Sequence, residues 1–367
     1  MDVASIAMEF KSKTRMRIAI IGGGIAGLAC AKVLLERGAG VSVFDAQTAG
    51  HGALWASGGM LAGGFECAES GASPAFASLA HRGMTLWSDW ARELGKADIG
   101  YRQGGVVSPA MSESDFDWLD AMAARAERLD IACRRDIEIP EGLQARRAIC
   151  FPNDGELDNR LLGPRLVAFI REAGGIFHEY RPVSGFRSQD GGVHIGDRTY
   201  DAAIIATGAA RNLTDAEPAL NDILPVKGQM LSVEPRNHSL PFCLRAQNGY
   251  VSQKQDGRIV IGASSEPKKS DIIVDQAVID EMFGRAQSWL PMLKGQNVTD
   301  SWAGVRPGTR DAMPMLGPGT QPGIFLALGL YRNGVLLAPA VAEMMADAML
   351  SGRNVPAEFL ADRFNQR

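Results

Sequence analysis

Arg17-Ile18-Ala19-Ile20-Ile21-Gly22-Gly23-Gly24-Ile25-Ala26-Gly27 is the stretch that decides the fold, read together with the aspartate at position 45. Ile18 to Ile21 form a short apolar run of the kind found in buried parallel strands. Gly22 permits a tight turn out of that strand. Gly24 lets the backbone approach a pyrophosphate, and Gly27 lets the next helix pack close to the sheet. That helix is expected from about Ile25 to Arg37, with Gly38 as its stop. Its free N–H groups and positive dipole end suit phosphate oxygens. Val41 to Phe44 read as a second strand ending at Asp45, which follows the last glycine at close to the usual spacing of about 20 residues. A carboxylate there suits ribose hydroxyls and repels a 2′-phosphate, which disfavours NADP. A lone glycine-rich turn would say little. Strand, glycines, helix, strand and acid in this order say dinucleotide.

Composition is that of an ordinary globular protein. The chain has 367 residues, 46% hydrophobic and 22% charged, enough for two domains with their own cores. A net charge of −4 argues against nucleic acid or an anionic membrane as the main partner. No window reads as an uninterrupted membrane span. Met1 to Lys13 contain acids and lack a signal-type apolar core, so residues 1–14 are expected to be a loose extension and the protein cytoplasmic. The five cysteines (30, 67, 133, 150 and 243) are widely spaced with no CxxC, and the histidines form no paired motif. Neither a disulfide framework nor a metal site is expected, and Cys30 reads as a small core residue.

Three further segments favour FAD over an exchangeable nicotinamide. His51 to Phe65 is rich in small residues yet carries Leu54, Trp55, Met60 and Leu61, a backbone able to lie against a flat ring. Asp201 to Ala209 reads as a buried strand ending in a glycine turn. Tyr331-Arg332-Asn333-Gly334 leads into a helical run, Val335 to Met349, whose N-terminus can stabilise negative charge on a reduced flavin. One fingerprint with contributions from the far C-terminus points to a resident flavin. Asn248–Ser252 and Arg258–Ala263 read as strands joined at Gln255-Asp256-Gly257, and 115–129 as a helix.

These blocks, with Gly58-Gly59-Met60-Leu61, Leu224 to Gln229, Trp302 to Thr309 and Arg332 to Pro339, resemble the D-amino-acid-oxidase family of flavoproteins and its glycine-oxidase branch linked to thiamine biosynthesis. The resemblance runs from about Arg15 to the C-terminus. It implies an α/β and α+β architecture: a Rossmann-like FAD-binding domain with a discontinuous substrate domain built on a mostly antiparallel sheet. The FAD domain would comprise 15–90, 150–224 and 304–367, and the substrate domain 91–149 and 225–303. By resemblance, Arg306 holds the substrate carboxylate, a role suited to a planar, permanently charged guanidinium. Tyr250 assists it, Arg332 lies near substrate and flavin, and Met60 is an apolar wall. The expected cofactor contacts are Gly22, Gly24, Ile25, Ala26, Gly27, Asp45, Ala46, Ala53, Leu54, Gly58, Gly59, Met60, Val183, Gly208, Arg332, Asn333, Gly334, Val335 and Leu336. The chain departs from the family at Asn248 and Leu330, where histidine is frequent.

The resemblance implies oxidation of glycine or another small amino acid by hydride transfer to flavin N5, with no protein acid or base required. Imine, glyoxylate, ammonia and hydrogen peroxide would follow, with oxygen as acceptor and a thiazole synthase as a partner. Homo-oligomers occur in the family. No cysteine follows Cys243, so a C-terminal thioether to the flavin is ruled out and noncovalent FAD is expected. The alternatives are a sarcosine or D-amino-acid oxidase or dehydrogenase, and, more remotely, a dinucleotide module without turnover.

Overall fold

A computed structural model describes residues 15–189, 191–234 and 239–364. The extension expected at 1–14 and the last three residues of the expected FAD segment 304–367 lie outside the described residues.

Two large sheets organise the chain. The first has six strands in the order Met315–Pro318, Ile324–Leu328, Ala202–Ile205, Arg17–Ile21, Gly40–Phe44 and Ile176–His178. All neighbours are parallel except the Met315–Pro318 edge. Both faces are covered, as a parallel sheet requires. Along Arg17–Ile21 the side chains alternate: Ile18 and Ile20 enter a core shared with helices Ile25–Glu36, Pro74–Leu94 and Gly334–Ser351. Ala19 and Ile21 enter the opposite core, with Val193, Ile195 and Tyr200 from a small antiparallel sheet. The fingerprint helix spans Ile25–Glu36 as expected, and Gly38 leaves it at φ +86°, a conformation that favours glycine.

Helix Gly334–Ser351 carries Pro339 in its interior. A proline lacks the N–H that would bond the carbonyl four residues back, here Val335. The indole Nε1–H of Trp87 donates to that carbonyl instead, at 2.8 Å. The segment Tyr331–Ser351 is long and apolar enough to cross a membrane by length and composition, contrary to the sequence reading. It packs against two other helices, with Val335 to Ala342 buried throughout, so its apolarity is accounted for by the core.

The second sheet has eight strands. Leu224–Val233 pairs along its length with Val298–Gly308 on one side and with Ile259–Gly262 and Glu266–Pro267 on the other. The sheet continues through Gly249–Gln253, Cys243–Ala246, Val106–Ala110 and Arg147–Phe151. It is antiparallel apart from the contact of Cys243–Ala246 with Val106–Ala110. Helix Gln276–Trp289 covers one face through Ile279, Met282, Ala286 and Trp289. The other face carries Met230, Tyr250 and Trp302, which pack with Ala56. The expected hairpin and the expected helix, observed at Phe116–Arg128, are both present.

Candidate active site

A cavity of about 1240 Å³ runs from the glycine turn after Arg17–Ile21 to the exposed end of the second sheet. A typical small-molecule site occupies about 300–1,000 Å³, so this one has room for a dinucleotide and a small substrate together. Glycine chemistry shapes its first end. Gly22 has φ +112°, and a Cβ there would lie 2.2 Å from the Ala206 carbonyl oxygen. A Cβ at Gly27 would lie 1.9 Å from the Gly22 carbonyl oxygen, which forces helix and strand together. At Gly24 a Cβ would meet nothing within 4 Å. Its empty flank faces the cavity, where a diphosphate would need the space.

Helix ends single out the same cavity. Ser73, Asp158 and Asp275 cap their helices by accepting backbone N–H bonds. Asp154 does the same for Gly63–Ser70 through Gly64 and Phe65. The helices beginning at Ile25 and Gly334 have no side-chain cap and no acid in the first turn, and both N-termini line the cavity. Two uncompensated positive helix ends facing one space fit an anionic diphosphate at one and an electron-rich ring at the other. The residues therefore fit a flavin dinucleotide.

Of the residues expected at the cofactor, Gly22, Gly24, Ile25, Ala26, Asp45, Ala46, Ala53, Leu54, Gly58, Gly59, Met60, Val183, Gly208, Arg332, Asn333, Gly334 and Val335 all line the cavity. Two do not. Gly27 lies behind the turn and acts through packing. Leu336 is 1% exposed and belongs to the helical core, its carbonyl facing Gly83. Contact with the cavity ends one residue earlier, at Val335, because the helix has turned by then. Asp45 is partly engaged: its carboxylate accepts N–H bonds from Gly23 at 2.7 Å and Gln47 at 2.7 Å, which aims it along the cavity wall. The Val183 carbonyl accepts from Asn212 at 2.9 Å. Lys254, buried, donates to the Gly58 carbonyl at 2.9 Å and to Leu157 at 3.0 Å while pairing with buried Glu156 at 3.2 Å. This fixes the Gly58-Gly59 backbone against the cavity, a role that sequence reading missed.

At the other end stand Arg306 and Tyr250. The Arg306 guanidinium lies over the Cα of Gly228, where an added Cβ would sit 2.3 Å from both Nη atoms. The Tyr250 ring lies over Gly262 and Gly58, where added Cβ atoms would sit 2.7 and 2.3 Å from the hydroxyl. Three glycines thus form slots for the two side chains. Arg306 donates to the Ser264 carbonyl at 3.2 Å and, among the described residues, has no carboxylate within ion-pair distance. Burial lowers its pKa below the ordinary arginine value, with Tyr250 and Tyr331 opposing. It stays a cation, since arginine does not deprotonate in proteins. Burial raises the Tyr250 phenol, which therefore keeps its proton and donates it to Met230 Sδ at 3.2 Å.

Arg332 stands at the cavity with its charge already answered. It lines the cavity, but its guanidinium pairs with Glu66 at 2.7 Å and with Glu69. Burial opposes its charge, and the two carboxylates nonetheless hold it above the ordinary arginine value. Its cation is already neutralised, so Arg306 is better placed than Arg332 to receive a carboxylate. Asn248 and Leu330, the departures from the family pattern, both line the cavity. So does Arg245, which sequence reading did not single out. Among the described residues no cluster of histidine, cysteine or acids could hold a metal.

Comparison with known proteins agrees with this geometry. The chain is 31% identical to the glycine oxidase of Bacillus licheniformis over 93% of its length and 94% of that protein. It is 31% identical to the bifunctional protein ThiO/ThiG of Nostoc sp., covering 92% of this chain and 53% of that one. The crystal structure of glycine oxidase from Geobacillus kaustophilus superposes with a TM-score of 0.85 at 28% identity, over 95% of this chain and 99% of that one. The L-proline dehydrogenase of P. horikoshii shares the fold at 22% identity and a TM-score of 0.83. The model of the FAD dependent oxidoreductases, DAO, matches residues 17–348, and the chain belongs to that family.

Proposed function

We propose that this FAD-dependent oxidoreductase oxidises glycine and other small amino acids at the Cα–N bond. The observation that carries the reading is Arg306: a half-buried arginine with no counter-ion among the described residues, its guanidinium seated in a glycine slot at the end of the dinucleotide cavity. Such a group is matched by a carboxylate, which a guanidinium holds in a planar, two-point pair.

The protein's part is to bind and orient. Arg306 fixes the carboxylate, and the Tyr250 hydroxyl, kept protonated by burial, would turn its one proton from Met230 Sδ to the same group. This directs the Cα–H bond at the flavin site bounded by Gly58, Gly59 and Met60. FAD, when bound, supplies the hydride acceptor. The amine must shed its ammonium proton before its lone pair can assist. Removal of the Cα hydrogen as hydride asks for no side-chain base at that carbon. The product imine would hydrolyse to glyoxylate and ammonia.

This chain covers only 53% of two relatives named ThiO/ThiG, which supports a separate protein that takes the product toward thiazole formation. Oxygen as the acceptor, with hydrogen peroxide as its product, a homo-oligomeric assembly and a cytoplasmic site complete the proposal. Steady-state kinetics of Arg306→Met test it. Loss of the clamp should raise the KM for glycine at least 100-fold with flavin still bound. An unchanged KM would remove the reading.

A further inference from the structure

Arg245 is the second cation at the substrate end with donors to spare. Its side chain is 12% exposed and lines the cavity. Of its five N–H groups, one makes a long bond to the Gly249 carbonyl at 3.4 Å. Glu66 pairs with it at 3.5 Å through one carboxylate oxygen while Arg332 holds the other at 2.7 Å, so Arg245 shares its counter-ion. Arg245 is paired directly across the strands with Tyr250, so both side chains stand on the same face of the sheet. Its guanidinium lies 5.9 Å from the Tyr250 ring centroid. On the other side, Tyr250 crosses Gly262 toward Met230 and the strand that seats Arg306 over Gly228. Two guanidiniums therefore flank one phenol, and each repels the other's charge.

We propose that Arg245 receives a second anionic group on the substrate, so that the preferred substrates are small amino acids carrying two carboxylates. This rests on the amine-oxidation reading above. The charge balance favours it. Arg245, Arg306 and Arg332 meet Glu66 and Glu69 here, three cations against two anions. A substrate arriving as an ammonium with two carboxylates brings the one negative charge that balances them, whereas zwitterionic glycine brings none. The second carboxylate would lie on the Phe65 side of Tyr250, where Arg245 stacks 4.7 Å from the Phe65 ring centroid.

Calorimetric titration of the FAD-loaded protein with glutarate and butyrate tests this without turnover, since the two differ by one terminal carboxylate. Glutarate should bind at least tenfold tighter than butyrate in the wild type. Arg245→Met should reduce that ratio to below threefold, and Arg245→Lys, which keeps the charge and loses the fork, should give an intermediate ratio. A wild-type ratio near one, or a ratio that survives in Arg245→Met, overturns the proposal. The wild-type ratio decides alone if Arg245→Met does not fold. Failure of every amino acid to reduce the flavin would instead strike the oxidation reading, an outcome these titrations cannot produce.

Discussion

Gly228→Ala is the sharpest perturbation of the site, because it adds a single methyl group beneath the guanidinium of Arg306. The added carbon would lie 2.3 Å from both Nη atoms and 2.4 Å from Cζ. Ordinary contact needs about 3.5 Å, so the guanidinium must retreat by roughly 1.2 Å or tilt off its plane. It is the far end of a flexible side chain, and Gly228 lies in ordinary strand backbone within Leu224–Val233. The fold therefore tolerates the change, and removing a glycine can even stabilise by about 0.4–1 kcal/mol. A misplacement near 1 Å in a positioning group costs on the order of 100-fold in rate, equivalent to about 2.7 kcal/mol of transition-state stabilisation. We expect kcat/KM for glycine to fall about 100-fold, with the melting temperature unchanged or slightly raised and FAD still bound. Paired steady-state kinetics and thermal melts measure both. If kcat/KM stays within twofold of the wild type, the slot does not set the position of Arg306 and the geometric argument is wrong.

Further consequences are open to test. Gly24→Val should weaken FAD binding by tenfold or more while leaving the apo fold intact, since the side chain would project into the empty flank beside the helix N-terminus; fluorescence titration with FAD measures it. Trp87→Phe should destabilise by about 1–3 kcal/mol, because the Val335 carbonyl opposite Pro339 loses its donor in a buried setting; urea unfolding reads this, and an unchanged midpoint refutes the pairing. Burial raises Asp154 to about 7 despite its bonds from Phe65 and Gly64. A carboxyl raised in the folded state adds stability below its unfolded pKa near 4, and that contribution is lost as pH rises toward 7. The stability of wild type relative to Asp154→Asn should therefore decline by on the order of 2–3 kcal/mol between pH 5 and 8. A flat difference across that range would show that Asp154 is ionised throughout.

What was legible in the sequence follows from the range of the interactions involved. Gly22, Gly24, Gly27 and Gly38 shape the turn and the helix within a few residues of themselves, so their spacing alone announces strand, turn and helix, although the close approach of Gly22 to Ala206 appears only in the fold. Asp45 is reached through one strand–helix–strand unit. Gly228 and Gly262 belong to another class. Their necessity appears only when Arg306 and Tyr250 are laid across neighbouring strands, and nothing local distinguishes them from glycines in turns. Arg245 acquires meaning from its register with Tyr250, which sequence spacing does not fix. Arg332 shows the converse: the motif placed it correctly at the cavity, but Glu66 and Glu69, over 260 residues away in the chain, decide that its charge is already answered. The apolar run 331–351 has the length and composition of a span as well as of a core helix, which the sequence reading missed, and its packing against helices Ile25–Glu36 and Pro74–Leu94 accounts for it.

The central claim is tested most directly by adding glycine, without oxygen, to the purified protein while its visible spectrum is recorded. The account predicts flavin absorption bands that bleach with glycine and return on admission of air. Bands that stay unchanged with glycine and with every other small amino acid would contradict it.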